Sequence, residues 1–260
     1  MRPHQPWQLQ TLAVCASTEH ELERWLAQRS AGASLRLERP RIVLARRQRF
    51  GHGQYGRSWQ SPPGGIWLSA ALPWAPLESQ AASPGLAVAV GLLHQLEALG
   101  LEGRLKWPND LLLQGRDGQW RKLAGLLSGL RLRGACVRWA RVGLGLNGCN
   151  PVPAGATNLV RGLGRIRARP SYLLPKVLDA LEWAMNSSRE PELVRREAQA
   201  RLWLPAEQLH MDGVTWQIQG LTRQGGLALT TGDGRQSVLH RPWPEGANTL
   251  YIGGDRVKGS

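Results

Sequence analysis

Two apolar runs, 42–45 and 66–72, are separated by a segment in which Gly51, Gly53 and Gly56 alternate with polar and charged side chains. The segment closes on Pro62-Pro63-Gly64-Gly65. Short apolar runs bounded by turn residues read as strands, so this segment is a long connection inside a sheet. Glycine lacks a Cβ and tolerates positive φ, which lets backbone N–H groups come close to a ligand. Arg57 adds a planar fork of donors matched to phosphate or carboxylate. The residues leave two readings open. One is a loop that cradles an anion; the other is a long glycine-rich hairpin carrying solvated arginines.

Length and charge narrow the field without deciding it. A chain of 260 residues can bury a sizeable core, as one large domain or as a domain plus a small module. No apolar run reaches membrane-spanning length and no charged-then-apolar leader precedes the first strand, so a cytoplasmic protein with no membrane partner is expected. Cys15, Cys136 and Cys149 lack metal-ligand spacing and read as reduced, small hydrophobic residues. A net charge of +14 suits an anionic partner, whether nucleotide, acidic protein or nucleic acid. The arginines are scattered rather than gathered in a tail, which fits a solvated basic surface for most of them.

Along the chain, an apolar run at 9–16 leads into Ser17-Thr18. Thr18 and Glu21 match a capping box that opens a helix to about Gln28 with Leu22, Trp25 and Leu26 on one face. A basic linker fills 32–39. Ser83-Pro84 opens a second helix, stopped by Gly100, whose apolar face of Leu86, Val90, Leu93 and Leu96 is expected to cover one side of the sheet. His94 on this helix reads as surface or core filler. Strands follow at 104–107, 111–113 and 123–130, with a hairpin tip at 115–118, and a further strand at 136–146. Lys106 and Lys122 would lie at neighbouring strand ends, although by pattern alone Lys122 is also an ordinary edge residue. Gly143 and Gly145 fit either a flat ligand lying against the backbone or a close strand packing. Residues 151–169 read as a loop. Ser171 caps a helix with a stripe of Leu174, Leu178, Leu181 and Met185, and another helix runs from about Pro191 to Trp203. Beyond Pro205, β pieces at 214–219, 226–231 and 237–240 suggest a barrel of about fifty residues, a size that leans on a neighbour for stability.

The sequence Lys106-Trp107-Pro108-Asn109-Asp110, the run Lys122-Leu123-Ala124-Gly125, the glycine loop and Val142 to Asn147 occur in the order and approximate spacing of biotin–protein ligases. The chain resembles that family from about Val14 to Asn147, and more loosely to its end. The resemblance implies an α+β fold, a mixed β-sheet flanked by helices as in class II aminoacyl-tRNA synthetases, with a small C-terminal SH3-like β-barrel. It implies a catalytic biotin- and ATP-binding domain at 1–204 and the β module at 205–260. It implies ATP and Mg²⁺ as cofactors, biotin as substrate, and the biotin carboxyl carrier protein of acetyl-CoA carboxylase as partner. The reaction would pass through biotinyl-5′-AMP. The first strand-to-helix junction begins at residue 17, so the short form without an N-terminal DNA-binding domain is expected, acting as a monomer or weak homodimer, with no DNA partner.

Carried over residue by residue, the resemblance places Ser17, Thr18, Glu19, Gln48, Gly51, His52, Lys122, Gly143 and Gly145 around biotin. It places Gly53, Gln54, Arg57, Trp59, Lys122 and Asn147 around the adenylate, with Asn147 reading adenine. Lys122 would bridge the biotin carboxylate and the α-phosphate, supported by Lys106 and Arg57. Asp110 would orient the lysine amines, help hold Mg²⁺, assist deprotonation of the incoming lysine, or only fix the turn. The metal ligands themselves are not named by the sequence. Glu19 stands where the family carries Asn. His52 and Gln54 replace two arginines of the loop, so a weaker electrostatic grip on the adenylate is expected. A lipoate-type acyl-adenylate ligase is an alternative within enzymes, and a basic nucleic-acid-binding module an alternative of another class. An acyltransferase would need a reactive cysteine, and none of the three sits in a suitable loop.

Overall fold

A computed structural model describes residues 7–28, 36–77, 81–204, 206–211 and 213–240. An edge strand, β1 (Gln8–Leu12), runs parallel to β2 (Arg41–Ala45), and β2 pairs antiparallel with β3 (Ile66–Leu72). The glycine segment is therefore a connection between adjacent strands, as expected. Next come β4 (Gly103–Lys106), β5 (Asp110–Gln114), β6 (Trp120–Arg133) and β7 (Cys136–Leu146). With β8 (Leu202–Trp203) they complete one mixed sheet in the order β1-β2-β3-β7-β6-β5-β4-β8. Lys122 is the third residue of β6 rather than the residue that opens it.

Helices cover both faces. On one side α1 (Thr18–Ala27) packs Leu22 and Leu26 against Val43, Ala71 and Trp139. On the other side lie α2 (Pro84–Ala98), α4 (Pro170–Asn186) and α5 (Pro191–Ala200), while α3 (Val160–Arg167) precedes α4. The apolar face expected for α2 is buried, but so is nearly every residue of its first three turns, because α4 and α5 close over its back. At Gly91 an added side chain would strike the backbone of Ala180, so glycine is what lets α2 and α4 approach so closely.

Several local expectations are corrected. The cap of α1 is Ser17, whose hydroxyl accepts from the Glu19 N–H at 3.2 Å; Thr18 is already helical, which frees its side chain for other partners. The loop expected at 151–169 contains α3, bent at Gly164 (φ 75°). Helix α4 starts at Pro170 with Arg169, not Ser171, at the cap position. Its buried stripe is Leu173, Val177, Ala180, Leu181 and Ala184, one position round from the expected face, because two alanines rather than leucines meet α2. Helix α5 stops at Ala200, since Leu202 and Trp203 pair in parallel with Leu105 and Lys106.

The C-terminal β pieces form a separate antiparallel sheet of β9 (Gln208–Met211), β10 (Val214–Leu221), β11 (Leu227–Thr230) and β12 (Gln236–Leu239), in the order β12-β11-β10-β9. The expected barrel would also draw on residues 241–260, which lie outside the described residues, as do residues 32–35 of the linker at 32–39. Strand β9 was not foreseen. Leu209, Leu221, Leu227 and Leu229 join the same buried cluster as Leu86 and Leu105, so the small sheet is packed onto the large one. All three cysteines are free, and burial raises the pKa of the Cys15 thiol. His94 bonds Glu197 and stands edge-on to Trp183. Among the described residues, no helix is long and apolar enough to cross a membrane.

Candidate functional site

The N-terminus of α1, the 46–61 loop, the start of β6 and the end of β7 converge on one cavity of about 650 Å³, a size typical of small-molecule sites. Thr18 is the centre of its innermost polar network. Its N–H and hydroxyl both donate to Gln48 Oε1, at 2.8 and 3.0 Å, and its Oγ1 lies 2.9 Å from Ser69 Oγ. Gln48 Nε2 in turn donates to Ser61 Oγ at 2.9 Å. Ser17, Thr18 and Ser69 line the cavity and are buried, as is Ser61 behind Gln48, so this wall presents fixed donors and acceptors in a dry setting. Ser61 and Ser69 escaped the sequence reading. Ser69 sits within an apolar strand, and only the register of β3 brings its hydroxyl to Thr18.

The glycine loop folds as a small hairpin of its own. Trp59 N–H donates to Gly51 O at 2.9 Å and Gly53 N–H to Arg57 O at 2.7 Å, around a short 3₁₀ turn at Gln54–Gly56. Tyr55 takes φ 58° in that turn, and its side chain is exposed. Gly51 was expected against the ligand, but it does not line the cavity. It is packed under the hairpin, where a Cβ would meet Trp59 O at 2.6 Å and Ser61 Oγ at 2.7 Å. Two of the three residues that depart from the usual pattern find each other: His52 Nε2 lies 2.9 Å from Glu19 Oε2, and Glu19 Oε1 is bonded by Arg141 Nη1. Glu19 thereby joins the loop to α1 and β7, and its place in the first turn of α1 suits a negative charge.

The opposite wall carries the cations. Lys122 Nζ lies 2.7 Å from Asp110 Oδ1 and 5.1 Å from the centre of the Trp59 ring. Lys106, opposite Asp110 in the β4–β5 register, lines the same cavity with its Nζ 5.9 Å from the Trp203 ring. The indole of Trp59 rests on Gly145: a Cβ there would lie 2.5 Å from its Cε2 and Nε1. Gly125, paired with Gly145 across β6 and β7, makes room for the same ring. The flat group against the Gly145 backbone is therefore the protein's own indole, and the buried Trp59 Nε1 has no hydrogen-bond partner among the described residues. Gly143 opens beside Ser69 and Leu127 instead.

Asn147 is buried and already engaged. Its Nδ2 donates to Thr157 O at 3.1 Å and its Oδ1 accepts from Asn150 Nδ2 at 3.0 Å, so it braces the 148–158 loop against the cavity. One donor hydrogen and one acceptor lone pair remain on its amide. In all, Ser17, Thr18, Glu19, Gln48, His52, Gly53, Gln54, Arg57, Trp59, Lys106, Asp110, Lys122, Gly143, Gly145 and Asn147 line the one cavity, and Gly51 alone of the expected set does not. The small sheet adds Leu209, Ile218 and Leu227, which sequence reasoning had no means of placing there. No group of three His, Cys, Asp or Glu able to hold a metal ion occurs among the described residues. A hard divalent cation would therefore depend on oxygens brought by a substrate, as Mg²⁺ at phosphates commonly does.

Residues 28–147 match the biotin/lipoate A/B protein ligase family. Over 108 residues the chain is 33% identical to the bifunctional ligase/repressor BirA of Bacillus subtilis (strain 168), covering 41% of this chain and 32% of that protein. Over 120 residues it is 38% identical to the biotin--[acetyl-CoA-carboxylase] ligase of Paracoccus denitrificans, covering 44% and 47%. The chain thus spans about a third of the length of the first of these curated relatives and just under half of the second. Among solved structures, the biotin protein ligase from Aquifex aeolicus in complex with biotin and ATP has a TM-score of 0.63 at 24% identity, over 89% of this chain and 95% of that one. The biotin acetyl coenzyme A carboxylase synthetase from Helicobacter pylori with bound biotinylated ATP has a TM-score of 0.54 at 20% identity, over 90% and 100%. At these identities the likeness to the solved structures is one of fold.

Proposed function

We propose, from the match of residues 28–147 to the biotin/lipoate A/B protein ligase family, that the chain is an ATP-dependent biotin–protein ligase that acts on a lysine of a biotin carboxyl carrier protein in the cytoplasm. Residues up to 204 would form its catalytic part and those from 205 a β module closing one side of the site. In the first half-reaction a biotin carboxylate oxygen attacks the α-phosphorus of ATP, and the bond to the bridging oxygen of pyrophosphate breaks. In the second, the ε-amine of the acceptor lysine attacks the acyl carbon. The C–O bond to AMP breaks, an amide forms and the amine loses a proton.

Such chemistry needs positioning and charge neutralisation rather than a nucleophilic side chain. The Thr18–Gln48–Ser61 network offers hydroxyl and amide partners to a ureido ring, which presents N–H and C=O groups that the dithiolane ring of lipoate lacks. Lys122 supplies the cation at which a carboxylate and a phosphate can meet. Of the roles open to Asp110, orienting that amine is the one its 2.7 Å ion pair supports. Lys106 and Arg57 would add positive charge for the phosphates. Mg²⁺, when bound with the nucleotide, would offset further phosphate charge, and Asp110 and Glu19 are the carboxylates that line the cavity.

One observation carries this reading: the paired Lys122 and the Thr18 network face the same cavity across the glycine hairpin. The test is Lys122→Ala. Pyrophosphate release with biotin and ATP is expected to fall by about a hundredfold or more, as for loss of a main charge-stabilising group. The melting temperature should change by only a few degrees, because the amine is part-exposed and its loss opens no core cavity. Near-normal turnover would overturn the assignment.

A further inference from the structure

Several arginines are matched by the protein's own carboxylates: Arg104 with Glu102, Arg131 with Glu23, Arg141 with Glu19 and Arg201 with Glu97. Among the described residues two short segments are not: Arg46, Arg47 and Arg49 beside the exposed Phe50 at the root of the glycine loop, and a longer one on α3. Arg161, Arg165, Arg167 and Arg169, on α3 and the residues just after it, are all exposed, and none has a carboxylate partner among the described residues. Arg167 meets only Tyr172, whose hydroxyl accepts from its Nε at 3.2 Å and whose ring lies 5.4 Å below its guanidinium. No neighbour in sequence neutralises them, for residues 118–178 contain no Asp or Glu at all. Amid these arginines stands Ile166, 76% exposed, the highest value of any large hydrophobic side chain among the described residues.

The fold holds this segment in place rather than leaving it loose. Leu163 and Ala168 are buried on its inner side, and Gly162 sits against Leu101. Gly164, at φ 75°, bends the helix between them. The loop leading into α3 is tied to the candidate site: Thr157 N–H donates to Lys122 O at 2.9 Å, and Leu159 N–H to Gly148 O at 3.0 Å. The basic face thus begins four residues beyond a residue bonded to the backbone of Lys122.

An apolar centre bordered by arginines is the pattern of a protein interface, where Arg is enriched and an exposed aliphatic side chain finds a pocket. A single-stranded nucleic acid would instead call for open aromatic faces on which bases stack, and the ring of Tyr172 is covered by Arg167. We propose that the α3 face docks an acidic surface with an apolar recess on the acceptor protein, setting the acceptor's lysine beside Lys122. This inference rests on the ligase reading given above and names the surface through which that reaction chooses its protein substrate.

The experiment uses the full chain, unmodified and as Arg161→Glu/Arg165→Glu, with the isolated acceptor domain of an acetyl-CoA carboxylase carrier protein as probe. Biotin-dependent ATP–pyrophosphate exchange reports the first half-reaction and biotin transfer at varied acceptor concentration reports the second. Expected is exchange within twofold of the unmodified chain, with the KM for the acceptor raised about tenfold, in the range that charge complementarity contributes to association. The KM of the unmodified chain should also rise steeply with salt, and that of the variant should not. The neutral variant Arg161→Gln/Arg165→Gln, milder for folding, should shift KM in the same direction by a smaller factor. Equal acceptor KM in all three forms overturns the docking proposal while leaving the ligase reading standing. So does binding of a 20-nucleotide DNA that depends on these arginines while the acceptor KM stays unchanged. Absence of exchange in the unmodified chain overturns the ligase reading, and the docking proposal with it.

Discussion

Gln54 shows how one side chain sets the character of a site. It lines the cavity on the turn of the glycine hairpin, where an amide hydrogen-bonds but brings no charge. On the proposed reading, a phosphate beside it would be matched by Arg57, Lys106 and Lys122, which line the same cavity. The variant Gln54→Arg places a guanidinium at that turn, and a charge-assisted bond of roughly 1.5–3 kcal/mol would hold the adenylate more firmly. Biotinyl-AMP appearing in solution without an acceptor should drop about fivefold or more, as read by chromatography of the filtrate. Equal leakage from both forms would count against a role for this position. Trp59 illustrates the reverse relation, in which backbone makes room for a side chain. Gly125 and Gly145 are bare so that the indole can lie across both strands, under the amine of Lys122. The motif spacing pointed to all three residues, yet it could not say that a protein ring rather than a ligand meets the glycine. That depends on which rotamer Trp59 adopts across the hairpin.

At the scale of elements, what was legible depended on whether a segment's own pattern decided its place. Strands β2, β3 and β7 and helix α2 were readable because apolar runs and a capped, proline-started helix state their own limits. Helix α3 was not, since Gly162 and Gly164 are poor helix formers within eight residues, and the burial of Leu163 and Ala168 holds it instead. The stripe of α4 was misread by one position because Ala180 and Ala184, small enough to admit α2, carry little hydrophobic signal. Thr18 was misplaced as a cap because Ser17 and Thr18 both satisfy the sequence rule, and only the register with Gln48 separates them. The junction of α2 and α5 rests on a charge cluster in which Arg201 binds Glu97 at 2.7 Å and Glu197 at 2.9 Å. The bond from Arg201 holds the Glu97 carboxyl below its usual pKa. For Glu197 the cost of burial is outweighed by bonds from His94 and Arg201, and its pKa too is lowered. Groups with depressed folded pKa values stabilise the protein above their unfolded pKa, about 4.3 for Glu, and lose that effect as pH falls through the folded value. Arg201→Gln is therefore expected to lose roughly 1–2 kcal/mol at pH 7, discounted for the partial exposure of Glu97. The gap from the unmodified protein should begin to narrow as pH falls below about 4.3 and close once it has passed the lowered folded values. Urea titrations at pH 7 and pH 3.5 measure it, and a gap that does not change with pH would refute the electrostatic account.

Across the whole molecule the two sheets share one interior. Leu209, Leu221, Leu227 and Leu229 of the small sheet belong to the cluster that includes Leu86, Leu105 and Leu126 of the large one. Polar ties reinforce it: Trp107 Nε1 donates to Gly225 O at 2.9 Å, and Leu221 N–H to Gln199 Oε1 at 2.7 Å. Four short strands alone bury too little to stand by themselves, and the shared core supplies what they lack. The small sheet also walls the cavity through Leu209, Ile218 and Leu227, so its stability and the shape of the site are linked. Leu227→Ala tests that linkage. Leu227 is 4% exposed, and truncating such a side chain costs about 2–5 kcal/mol through lost burial and the cavity left behind. If the two sheets unfold together, calorimetry should show one transition displaced downward as a whole, and biotin with an ATP analogue should raise it by stabilising the native state of both. If the small sheet were an independent unit, the variant would instead split the trace. An early, ligand-insensitive step would precede a main transition left at the temperature of the unmodified protein.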